Sequence, residues 1–80
     1  MYKTKHRGKN NLCGENIARL RKARKPKTSQ RALADELQLL GIEIDKNAIS
    51  RIEAGERFVT DIELRAFADF FNINIDELQK

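Results

Sequence analysis

Asp45-Lys46-Asn47-Ala48-Ile49-Ser50-Arg51-Ile52-Glu53-Ala54-Gly55 is the stretch on which the reading of this chain turns. It describes one short helix with a start and a stop. Asp45 is a good N-cap, because its carboxylate can accept the free amide hydrogens of a first helical turn. Gly55 can adopt the left-handed conformation that ends a helix. Ala48, Ile49 and Ile52 repeat at helical spacing and should face a core. Lys46, Asn47, Ser50 and Arg51 fall on the opposite side, and each can donate hydrogen bonds. The chain around this helix is expected to hold that polar face outward.

Upstream, the pattern becomes helical from about Asn11 to Arg24, with Leu12, Ile17, Leu20 and Ala23 on one side. That helix should stop before Pro26, because proline disfavours helix in the residue before it. Ser29 or Thr28 then caps a second helix. Its Leu33, Ala34, Leu37 and Leu40 form a core-facing stripe, and Gly41 ends it. Ile42-Glu43-Ile44 is too short for an independent strand and reads as an extended connection with both isoleucines turned inward. Downstream, Thr60-Asp61-Ile62-Glu63 is a capping box opening a fourth helix to about Phe71. Asn74-Ile75-Asp76-Glu77 starts a short fifth helix. The expected fold is therefore all-α, a compact five-helix bundle containing a helix-turn-helix, in which helices 2 and 3 are the two halves of that motif.

Eighty residues allow a single domain. Residues 1–27 hold ten Lys/Arg against one acid, Glu15, whereas residues 28–80 hold six Lys/Arg against eleven acids. A chain so polarised should present its basic end to a polyanion, and nucleic acid is the leading one. Residues 1–10, with Lys3, Lys5, Arg7 and Lys9, read as a flexible basic N-terminal arm, and residues 11–80 as the domain. The single cysteine, Cys13, permits no intrachain disulfide and fits a reducing, cytoplasmic setting. No apolar run approaches the ~18 residues of a membrane span, so no membrane partner is expected. His6 has no second ligand near it, and neither a metal nor another cofactor is expected. Enzymatic chemistry finds no support. There is no glycine-rich phosphate loop and no nucleophile–base constellation, and the carboxylate pairs Asp61/Glu63 and Asp76/Glu77 sit where a helix dipole favours them.

Five segments occur in a telling order: Ile17-Ala18-Arg19-Leu20-Arg21, Ser29-Gln30-Arg31-Ala32-Leu33-Ala34, Ala48-Ile49-Ser50-Arg51-Ile52-Glu53-Ala54-Gly55, Glu63-Leu64 and Ile75-Asp76-Glu77-Leu78. Over about residues 14–79 this resembles the lambda-repressor-like helix-turn-helix family, the Cro/repressor type of phage and bacterial regulators. The resemblance implies a five-helix domain that binds a double-stranded DNA operator, usually as a homodimer, and most often represses transcription. It places Lys46, Asn47 and Ser50 opposite base edges and Arg51 at a base or a phosphate. It sets Gln30 against the phosphate backbone and makes Arg21 and Glu53 a pair bridging helix 1 to helix 3.

The residue types suit those roles. Asn47 can pair in bidentate fashion with adenine, and Lys46 or Arg51 can donate to guanine. Ser50 can bond several bases and so specifies less. Asp45 is assigned to capping, with cytosine N4 as a weaker alternative partner. Ser29 and Gln30 open a helix whose exposed amides attract anions, and Arg31, Arg57, Lys25 and Lys27 are the other candidates for phosphate contact. This sequence departs from the family pattern in a helix 1–2 connection about two residues longer and a helix 2–3 region about five longer, over Gln38 to Glu43. Helix 2 is expected to run on for a turn. Phe70 stands where the family commonly has a small residue, which suggests local packing or a dimer contact. Cys13 reads as a packing residue, with redox sensing through a lowered pKa as the alternative.

Two other function classes compete. One is a protein-binding module, such as an antitoxin, working through the acidic C-terminal part and Phe70. The other is a basic nucleic-acid binder without sequence preference.

Overall fold

The computed structural model describes residues 10–80. They form five helices and no strand: α1 Gly14–Ala23, α2 Gln30–Leu39, α3 Lys46–Glu53, α4 Asp61–Phe71 and α5 Ile75–Leu78. The all-α, five-helix architecture expected from the sequence is the one observed. Lys3, Lys5, His6, Arg7 and Lys9 of the expected arm lie outside the described residues.

Local chemistry starts most of these helices. Ser29 Oγ accepts from the Ala32 amide at 3.0 Å, and Asp45 Oδ1 accepts from the Ala48 amide at 2.8 Å. At α4 both halves of the capping box form: Glu63 N–H to Thr60 Oγ1, and Thr60 N–H to Glu63 Oε1, each at 3.1 Å. Two orphan amides of the first turn are satisfied reciprocally. At the other end of α3, Gly55 has φ +79°, a conformation that costs a residue with a Cβ. Asn72 closes α4 in the same left-handed region.

The start of α1 differs from the sequence expectation. The helix begins at Gly14, not Asn11; Cys13 holds the N-cap position without a side-chain cap bond, and the Asn11 side chain, two residues before it, satisfies the first amide instead, its Oδ1 accepting from Gly14 N–H at 2.8 Å. The same side chain donates to the carbonyls of Ile52 at 3.1 Å and Arg57 at 2.7 Å. Beside it, the Asn10 amide donates to Gly55 O, and Asn10 Nδ2 donates to Glu56 O. Two consecutive asparagines thus tie the start of α1 to the carbonyls at the end of α3. Leu12, expected on the core face, precedes the helix and is 43% exposed.

Gly14 is where these two helix ends touch. A Cβ built there would collide with the Ile52 carbonyl oxygen and sit 3.2 Å from that of Glu53. Both obstacles are backbone and cannot rotate away. Gly14→Ala is therefore expected to destabilise the domain by about 1–3 kcal/mol, the usual cost of overpacking, read as a lower urea midpoint. An unchanged midpoint would show that α1 can slide off α3 at no cost.

The core is built from one face of every helix: Ile17 of α1, Leu33, Ala34 and Leu37 of α2, Ile49 and Ile52 of α3, Leu64, Phe67 and Ala68 of α4, and Leu78 of α5. Asn16 Nδ2 donates to the Leu78 and Lys80 carbonyls, which holds the end of α5 against α1. In the longer α2–α3 segment, α2 runs to Leu39 and the connection to α3 covers residues 40–45. Gly41, at φ +85°, turns the chain. Ile44 is buried and Ile42 half-buried, as the alternating pattern predicts, and Gln38 Nε2 donates to the Ile44 carbonyl at 3.3 Å. Leu40 does not extend the core stripe. It lies past the last helical turn and is 56% exposed.

Candidate nucleic-acid interface

The polar face of α3 emerges as the local pattern requires. Ile49 and Ile52 are buried and Ala48 is half-buried, while Lys46, Asn47, Ser50 and Arg51 are all exposed. None of these four side chains makes a hydrogen bond or ion pair among the described residues. Their neighbours behave otherwise. Arg21 Nε and Nη2 reach the two Glu53 carboxylate oxygens at 2.7 and 3.0 Å, and Arg21 Nη1 donates to the Thr28 carbonyl at 3.1 Å. Gln30 Nε2 donates to Glu53 Oε1 at 3.0 Å. Glu53 thus joins α1, α2 and α3 at one point. Its fork of hydrogen bonds holds the Arg21 guanidinium in its charged form, with a pKa above its already high ordinary value.

The residues expected to touch phosphate divide into three groups. Lys27, Ser29, Gln30 and Arg31 line one shallow depression at the start of α2, together with Thr28, Arg21 and, from α3, Lys46. Within it the Ser29 hydroxyl oxygen already accepts from Ala32, so toward an anion Ser29 offers its hydroxyl hydrogen. The Gln30 amide nitrogen is partly used on Glu53. The unpaired amides of a helix start favour an anion there, and the cations around it reinforce that preference. Lys25 lies apart, exposed on the turn that contains the cis Lys25–Pro26 bond.

Arg57 is placed differently again. It forks onto Glu63, with Nη1 to Oε1 at 2.9 Å and Nη2 to Oε2 at 3.0 Å, and it donates to the Phe58 carbonyl. The geometry gives Arg57 a structural role joining the α3–α4 loop to the first turn of α4. The sequence reading missed this pair, and it missed the link from Gln30 to Glu53. Neither spacing is local enough to mark a partner.

The Arg57–Glu63 pair predicts a pH dependence. The hydrogen bonds from Arg57, and then those from Thr60, hold the Glu63 carboxyl below the usual carboxylate range, against the opposing effect of burial. A carboxylate with a depressed folded pKa adds stability that is full above its unfolded pKa and lost as pH falls toward the folded value. Wild-type stability should therefore decline below about pH 5 more steeply than that of Glu63→Gln. Urea midpoints measured across that range check it, and parallel acid limbs would refute it.

Phe70 packs locally. Its ring lies edge-on to Phe71 with centroids 5.0 Å apart, and the Arg24 guanidinium sits 4.3 Å above its face. This contact covers the side chain that the protein-binding reading would have used. Cys13 is buried, and burial pushes its thiol up to about 11, opposite to the lowered value that redox sensing would need. No cluster of His, Cys, Asp or Glu among the described residues could hold a metal ion. No helix among them is long and apolar enough to cross a membrane.

Two short helices joined at α2–α3, the second with a free polar face and the first opening on a cationic depression, define a helix-turn-helix domain. A family model described as helix-turn-helix matches residues 17–78. The chain belongs to this helix-turn-helix family, of the Cro/C1, lambda-repressor-like type. A search of curated proteins and a search of solved structures each found no match. Membership makes this a DNA-binding regulatory domain of a typically non-enzymatic family.

Proposed function

We propose that this protein is a sequence-specific transcriptional repressor that binds a double-stranded DNA operator as a homodimer and reads base edges in the major groove with α3. The observation that carries this reading is the contrast on and around α3. Lys46, Asn47, Ser50 and Arg51 are exposed and unengaged, while Arg21, Gln30, Glu53 and Arg57 are tied to one another or to α4. A free polar face is the ordinary state of a solvated helix; what supports the reading is its place on the second helix of the helix-turn-helix, beside the cationic depression that Lys46 shares.

The major groove admits one α-helix, and residues near its N-terminus reach base edges. In this reading Asn47 pairs with adenine, and Lys46 or Arg51 with guanine. Ser50 adds a less selective bond. The depression of Lys27, Ser29, Gln30 and Arg31 grips a phosphate, with Lys25 as an outer contact, and fixes the register of α3 without reading sequence. Arg57 is omitted from the phosphate set because Glu63 holds its fork.

The test is to select bound sites from random DNA and then to measure Asn47→Ala and Arg51→Ala on the selected site and on a random duplex. Loss of a bidentate base contact should weaken specific binding by about 1–3 kcal/mol. Non-specific binding should hold for Asn47→Ala. Equal losses on both duplexes would sink the base-reading assignment and favour the non-specific binder.

A further inference from the structure

A helix start lacks acceptors for its first amides, and a helix end lacks donors for its last carbonyls. An asparagine side chain carries both an acceptor and a donor on one rigid amide, so it can serve two such ends together. Asn11 does this: its Oδ1 accepts from Gly14 N–H, and its Nδ2 donates to the carbonyls of Ile52 and Arg57. Asn10 adds its backbone N–H to Gly55 O at 2.8 Å and its Nδ2 to Glu56 O at 2.9 Å. Carbonyls at the end of α3 and in the loop after it are thereby held by the residues that lead into α1. The close approach requires Gly14, since a Cβ there would meet the Ile52 carbonyl oxygen.

This is the second point at which α1 holds that end of α3. The first is Arg21, in the last turn of α1, forked onto Glu53. Gly14 and Arg21 stand about 10 Å apart along α1. One point of attachment is a hinge, whereas two separated points fix a direction. The loop behind α3 is fixed as well, because Arg57, whose carbonyl Asn11 holds, forks its side chain onto Glu63 of α4. A short helix depends on such fixing. α3 has eight residues, about 12 Å of helix, and the buried Ile49 lies near its middle. A shift of about 1 Å at its end, pivoting there, returns as a similar opposite shift at Lys46 and Asn47, and a good N–H···O bond tolerates only about 0.5 Å.

We propose that Asn11 is a positioning residue for DNA recognition: its amide sets the tilt of α3 and so the placement of Lys46 and Asn47 against base edges. Asn11 acts through α3 and touches no base itself. The proposal rests on α3 being the base-reading helix.

Asn11→Asp separates the two halves of the amide. The carboxylate has the same shape and still accepts from Gly14, at a helix start where negative charge is favoured. It cannot donate to Ile52 or Arg57. In the full chain, with helix content checked by circular dichroism, the ratio of affinities for the selected site and for a random duplex should fall about tenfold, the scale of one weakened base contact. The added negative charge repels both duplexes and cancels in the ratio. A merely structural role would lower the urea midpoint and leave the ratio alone. The fall should also depend on Asn47. In an Asn47→Ala background, Asn11→Asp should lower the ratio clearly less, because a contact it would misplace is already gone. Asn10→Ala, which removes only the bond to Glu56, should lower the ratio in the same direction, and it carries the test should Asn11→Asp fail to fold. An unchanged ratio in the folded variants, or a fall of equal size with and without Asn47, would overturn the proposal. A wild-type ratio near one would instead sink the base reading itself, and it is seen before any variant is made.

Discussion

Glu53→Ala is expected to destabilise the domain by about 3–5 kcal/mol, the usual result of removing one partner of a buried ion pair. The side chains of Arg21 and Glu53 are only 9% and 8% exposed. Without the carboxylate, Arg21 keeps its bond to the Thr28 carbonyl but loses both bonds to Glu53, and Gln30 loses its acceptor. A guanidinium in that position cannot shed its charge, so the desolvation it suffers goes uncompensated. At roughly 0.05–0.15 kcal/mol per residue, a domain of this length has little stability beyond such a loss. Urea unfolding of the variant would read it directly. Replacing both partners, as in Arg21→Met with Glu53→Leu, should recover much of the loss, because an apolar pair of similar volume carries no buried charge. A single variant that costs less than about 1 kcal/mol would show the pair to be as weakly coupled as one at the surface.

Phe67→Ala should cost a similar amount, about 3–5 kcal/mol, through lost burial and the cavity left behind. Phe67 is 0% exposed and the largest fully buried side chain. It sits in the middle of α4 with the cores of the other helices around it. Phe70→Ala, three residues on, is the control. Phe70 is only half-buried: it packs against the edge of the core and meets the Phe71 ring and the exposed Arg24. An exposed cation–π contact is worth about 0.5–1 kcal/mol, and a half-buried ring loses less on truncation than a buried one. Parallel urea titrations should therefore separate the two variants clearly. Equal costs would mean that Phe70 is part of the core and not a lid at its edge.

Much of the candidate interface was legible before the structure. The alternation of apolar and donor residues from Lys46 to Glu53 assigns one face inward and one outward in any helix that packs on a core. The placement of Gln30 and Arg57 was not legible. Gln30 heads α2 as expected, yet its amide turns toward Glu53, and Arg57 faces Glu63 instead of solvent. Both residues have long side chains with several rotamers. Which polar group they meet depends on the path of a neighbouring helix, and no local spacing records that path.

The sequence by itself determined the five helices and most of their ends. The caps at Ser29, Asp45 and Thr60, and the turns at Gly41 and Gly55, act over four residues or fewer, so the order of residues is enough to read them. Only the tertiary structure decided what the helices do to one another. The Asn10–Asn11 clasp on the end of α3, the start of α1 at Gly14, the exposure of Leu40 and the free face of α4 at Ile62 all follow from which surfaces meet. Those meetings join residues far apart in the chain. They are set by the shape of the packed core, and periodicity along a single helix does not contain it.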